Sequence, residues 1–107
     1  MQVQGLPRRP MSHYKLKSFA DTKPAWRSTV LTTVGGANVK VMHMDGASYP
    51  DESHGYPECL LVTDGQLNLL IHEALVIVRA GEMYVIPPGV PHAVAPGSLG
   101  TCLIIDQ

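Results

Sequence analysis

Two short stretches of the chain hold side chains able to bind a cation. The first runs Gly46-Ala-Ser-Tyr-Pro-Asp-Glu52-Ser-His54-Gly-Tyr-Pro-Glu58 and continues to Gly65. Glu52 and His54 are two residues apart, so in extended backbone both side chains leave the same face. Glu58 opens an apolar run in which Leu60 and Val62 share its face. A carboxylate at the head of such a row is costly unless it is paired, protonated or bound to a cation. The second stretch is Gly81-Glu-Met-Tyr-Val-Ile-Pro87-Pro-Gly89-Val-Pro-His92. There a strand ends in a rigid Pro-Pro-Gly turn that delivers His92 at a fixed position. Imidazole together with carboxylate suits Mn, Fe, Co, Ni or Zn. A divalent transition metal is the cofactor these residues predict, its identity open.

Other side chains have plainer uses. A single histidine on an apolar face is usually a satisfied core residue, and the paired spacing of His54 and His92 is what argues otherwise. His43 lies on the segment leading into the first stretch, where it either lines a cavity or serves as a hydrogen-bonded structural histidine. Tyr49, Tyr56 and Tyr84 offer hydroxyls, and aromatic packing with the hydroxyl in water explains each equally well. No residue identifies itself as a general acid or base; Tyr49, Tyr56 and His43 are the candidates. Cys59 follows the inward Glu58, so alternation turns it away from the cavity as an inert thiol. His72 and Glu73 belong to a solvated hairpin turn at Ile71–Leu75. Trp26, the sole tryptophan, lies outside both stretches and reads as a core or interface anchor.

The elements that must position these residues are short strands. Ser28–Val34 and Asn38–Met44 flank a Gly35-Gly36 turn, and Val39, Val41 and His43 share one face. Glu58–Thr63 and Gln66–His72 flank Asp64-Gly65, a dipeptide that predicts a tight hairpin turn. Leu75–Val78, Met83–Ile86 and Thr101–Ile105 complete the set. Helical spacing is nearly absent, with at most one short turn around Pro24-Ala25-Trp26. Short strands with turns every eight to twelve residues predict a sandwich or small barrel, and no internal repeat suggests a second one.

Composition bounds the rest. The chain has 107 residues, 45% hydrophobic and 16% charged, which suits one compact domain and argues against disorder. Residues 1–10 read as a loose arm and 11–107 as the domain, with Met11 an alternative start. A formal net charge of −1 without a basic block gives no nucleic-acid footprint. Arg8-Arg9 is too short for a membrane anchor, and no apolar run is long enough to span a bilayer. Two widely spaced cysteines make no disulfide framework. A soluble cytoplasmic protein with reduced thiols is the expectation.

The two stretches together resemble the cupin superfamily, in particular its small single-domain members. That family's first motif is Gly, five residues, His-x-His, three or four residues, Glu, six residues, Gly; Gly46, His54, Glu58 and Gly65 fall in its register. Its second is Gly, five residues, Pro-x-Gly, two residues, His, three residues, Asn; Gly81, Pro87, Gly89 and His92 occupy it. The resemblance spans about residues 40–95. It implies an all-β antiparallel double-sheet jelly-roll barrel, with His54, Glu58 and His92 as metal ligands. Two positions depart from the pattern: Glu52 stands where the first histidine would fall, and Pro96 where the Asn would. Glu52 either binds the ion through oxygen, turns to solvent, or hydrogen-bonds behind a ligand. Family members often dimerise, so the resemblance implies a homodimer, with the arm suited to strand exchange. It also implies a small-molecule ligand or substrate and enzymes of the oxygenase, isomerase, decarboxylase or lyase kind. The alternative is a non-catalytic module that binds a small ligand or metal.

Overall fold

The computed structural model describes residues 12–107, so the predicted arm lies outside the described residues. Alternating apolar side chains and repeated turns give eight strands and one helix: α1 (Leu16–Ala20), β1 (Thr29–Val34), β2 (Ala37–Asp45), β3 (Tyr49–Glu52), β4 (Glu58–Ile71), β5 (Ala74–Arg79), β6 (Met83–Ile86), β7 (His92–Val94) and β8 (Leu99–Asp106). All pairings are antiparallel. The sheet curls on itself in the order β1-β2-β8-β4-β7-β3, with β5 and β6 also on β4. This is the expected jelly-roll barrel.

The predicted break at Asp64-Gly65 is not a hairpin. β4 runs unbroken through it for 14 residues, because β8 pairs along its edge from Cys59 to Gln66 and leaves no loop to close. The register slips between Val62 and Asp64, and this bulge changes the inward parity of the strand. Leu60 and Val62 are buried before it, and Leu67, Leu69 and Ile71 after it. The first half of β4 pairs with β6 and the second with β5 and β7, so one long strand serves both sides of the barrel. The tight turn falls at His72-Glu73, both at positive φ (50° and 69°), which joins β4 to β5 as a two-residue hairpin.

The inner faces supply the core: Met44, Leu60, Val62, Leu67, Leu69, Val78, Ile86, Cys102 and Ile104 are all buried. The helix α1 was not foreseen, since its five residues are too few to show a period. It contacts β2 and β8 and buries Ala20. At residues 24–26, expected to hold a short turn, Ala25 and Trp26 form one, in which Trp26 takes φ 65°. No helix among the described residues is long and apolar enough to cross a membrane.

Candidate metal centre

Glu52 closes β3 and His92 opens β7, and the two residues pair directly across the strands. His54 follows β3 in a loop whose place is set by the proline-rich turn: the Gly89 N–H donates to the His54 carbonyl at 2.7 Å. The two stretches singled out in the sequence are thus clipped together through backbone. Ligand atoms of Glu52, His54 and His92 all lie within 4.8 Å of one another. Glu52 Oε1 is 2.9 Å from His54 Nε2.

His92 is buried, and its Nδ1 lies 3.0 Å from the Val90 carbonyl. A carbonyl only accepts, so Nδ1 carries the proton, and Nε2 is left as the nitrogen whose lone pair the neutral ring would present. That is the arrangement a metal-ligating histidine needs. Nε2 faces Glu58 Oε1 at 3.4 Å. Glu58 enters from the start of β4, its side chain 12% exposed, and touches the cluster through His92. Burial pushes its carboxyl up from the usual carboxylate range, opposed by the two histidines and reinforced by Glu52 and Asp106. A half-buried acid beside two imidazoles fits a cation, whose charge would repay its desolvation.

The cluster opens into the barrel cavity of about 180 Å³. Of the candidate acid–base residues, Tyr49 and Tyr56 line that cavity. Tyr56 stacks flat on His54, centroids 5.0 Å apart and planes 7° apart. Tyr49 stacks on Trp26 at 5.6 Å. His43 is excluded from the cavity. Inward positions on β2 belong to Lys40 and Met42, so alternation turns His43 outward. Nor is it the hydrogen-bonded histidine of the simpler reading: its buried Nδ1 has no hydrogen-bond partner and lies 3.6 Å from Asp21 Oδ1. Cys59 also points outward, as alternation predicts, with Sγ 3.7 Å from Met83 Sδ.

The cavity residues that escaped the sequence reading include Trp26, Lys40, Cys102 and Asp106. The signal for three of them was parity, since Lys40 precedes Met42 and Met44 by twos, and Cys102, Ile104 and Asp106 alternate likewise. Trp26 gave no such signal. Its place comes from its indole N–H, which donates to Asp45 Oδ1 at 2.7 Å and is the main reason the Asp45 carboxyl falls below its usual range. Cys102 is fully buried, and desolvation pushes its thiol up to about 12, which leaves it an unreactive wall residue.

A small antiparallel barrel with histidines and carboxylates converging inside it defines the class of protein. A family model described as a cupin domain matches residues 39–106, and the chain belongs to that family. A cupin-2 domain protein of Shewanella frigidimarina is 25% identical over 82% of this chain and 86% of its own, with a TM-score of 0.74. A Neisseria meningitidis protein is 19% identical over 90% of this chain and 99% of its own, TM-score 0.76. The DMSP lyase of Ruegeria pomeroyi is 20% identical over 76% of this chain and 46% of its own, TM-score 0.66. The last two likenesses are of fold alone. No curated protein matches the sequence.

Proposed function

We propose that this cupin is a metal-dependent enzyme acting on a compact polar organic molecule. The observation that carries the reading is the convergence of Glu52, His54 and His92 within 4.8 Å at the wall of an internal cavity. In this reading His54 and His92 bind through nitrogen, and Glu52 and Glu58 through oxygen. A divalent ion held there would polarise a substrate oxygen as a Lewis acid. Two histidines with carboxylate also match the donor set of non-haem iron oxygenases, which favours oxygen chemistry over isomerase, decarboxylase or lyase chemistry. The Val90 carbonyl orients His92, and Tyr56 steadies the His54 ring. The Tyr49 and Tyr56 hydroxyls are the protein groups placed to hand a proton to it. The two free cysteines suit a reducing cytoplasm.

Metal titration by calorimetry tests the ligand set. His54→Ala and His92→Ala should abolish binding, and Glu52→Ala should weaken it by at least ~10–100-fold. Wild-type affinity in Glu52→Ala would remove Glu52 from the set. The metal-loaded protein is then incubated with a panel of small metabolites. Conversion of one of them that stops on chelation supports the enzyme; binding without any turnover would leave a metal-dependent binding module.

A further inference from the structure

Beyond the histidines, the same cavity holds an ion pair that the metal reading does not use. Lys40 on β2 and Asp106 on β8 both line it, and Lys40 Nζ is 2.7 Å from Asp106 Oδ2. The Asp106 side chain is 1% exposed and that of Lys40 20%. Both carboxylate oxygens of Asp106 are buried without a hydrogen-bond partner: Oδ2 has only the charge contact with Lys40, and Oδ1 has none. Such an acceptor costs stability unless something completes it. Asp106 lies one step beyond the Cys59–Ile105 pair, which sets it beside Glu58, whose carboxyl faces His92 at 3.4 Å. The pair and the candidate metal ligands therefore belong to one continuous polar track along the cavity.

The geometry points to Lys40 and Asp106 as a recognition subsite for a ligand hydroxyl. A hydroxyl donates one hydrogen bond and accepts others, so it can donate to Asp106 Oδ1 and accept from Lys40 Nζ at once. An ammonium group could satisfy Asp106 but would be repelled by Lys40. A methyl group would leave Oδ1 unpaired. The cavity, about 180 Å³, is slightly larger than the roughly 150 Å³ that holds a benzene molecule, which gives room for a compact ligand. With an anionic oxygen at the histidines, the ligand class is a short hydroxycarboxylate. The carboxylate half rests on the metal reading above; the hydroxyl half rests on Lys40 and Asp106 alone.

Trp26 lines the cavity and is the sole tryptophan, so its fluorescence reports occupancy. The full chain, once loaded with Mn²⁺ and once stripped with chelator, is titrated with three matched sets. These are glycolate, acetate and glycine; 3-hydroxypropionate, propionate and β-alanine; and 4-hydroxybutyrate, butyrate and 4-aminobutyrate. In at least one set the hydroxy acid should bind at least about tenfold tighter than both its partners. The double variant Lys40→Met/Asp106→Leu should erase that preference. It exchanges the pair for apolar side chains, a swap that folded proteins often accept without loss. Absence of a hydroxyl preference in every set, or a preference that survives in the double variant, would overturn the proposal. In the stripped wild type, where chelation of Mn²⁺ cannot supply a hydroxyl preference, the comparison decides the matter even if the variant does not fold. Failure of Mn²⁺ to bind counts against the metal reading instead, and the stripped protein still tests the hydroxyl.

Discussion

Glu58 carries the tension between stability and function at the scale of single residues. Burial raises its carboxyl pKa above the usual value, so the folded protein keeps this proton to higher pH than the unfolded chain does. Between the two values the native state binds more protons, and stability falls as pH rises through that window. The metal-free protein thus holds the full benefit of a protonated Glu58 only below the unfolded value, and has lost it above the folded one. Glu58→Gln removes the charge and keeps the shape. At pH 8 in chelator its melting temperature should exceed that of the wild type, with the gap closing towards pH 4. With a divalent ion present the order should reverse, because ion binding stabilises only the protein that retains the ligand. A lower melting temperature for Glu58→Gln at pH 8 in chelator would show that the charged carboxylate is already well compensated. The position of Glu58 was legible in the sequence because a charge led an apolar row. That of Asp106 was marked only by its parity with Cys102 and Ile104, a weak signal because a single acid at the end of an apolar strand also looks solvated.

At the scale of elements, β4 shows where local signals mislead. An Asp-Gly between two apolar runs is a hairpin in isolation, but pairing with β8 on both sides of the dipeptide overrides the turn. Gly65, at φ 82°, is needed for a different reason. A Cβ on it would overlap the Leu99 carbonyl, and one on the opposing Gly100 would overlap the Asp64 carbonyl. The two strands approach closely at this bulge because neither has a side chain there. Gly65→Ala should therefore lower the urea midpoint strongly, by about 3 kcal/mol in unfolding free energy, combining left-handed strain with overpacking. A loss under about 1 kcal/mol would mean that the bulge tolerates a side chain and that close approach is not required. The strands read from composition, such as Met83–Ile86, match the structure, since alternation and β-branching mark them. Tyr49–Glu52 and His92–Val94, four and three residues long, are strands only because they pair with each other and with β4. No period can show in so few residues. Yet these two elements carry Glu52 and His92, so the candidate site residues were picked out by motif spacing while their supports were not.

The outer face of the barrel shapes the behaviour of the whole molecule. Cross-strand register places Val39, Ile105, Cys59 and Val85 in one row on β2, β8, β4 and β6, and Val41, Leu103, Leu61 and Met83 in the next. Helix α1 contacts the β2 and β8 side of this sheet, and Val41 is buried there. Towards β6 the rows are open: Met83 is 63% exposed and Val85 52%. An apolar sheet face four strands wide is a surface a lone domain rarely leaves uncovered. A second copy is the occupant we propose, joining the two chains face to face about a two-fold axis. At micromolar concentration, light scattering should return twice the 11.6 kDa chain mass. Met83→Glu with Val85→Glu should return the single-chain mass, because four like charges brought together across a two-fold axis have no partner and cost more than a weak interface supplies. The double variant should keep its metal affinity, since neither residue lines the cavity. A wild-type mass of one chain would refute the dimer. A dimer unaffected by the two charges would move the interface elsewhere, to the free edge of β1, where Val30 and Val34 are also exposed.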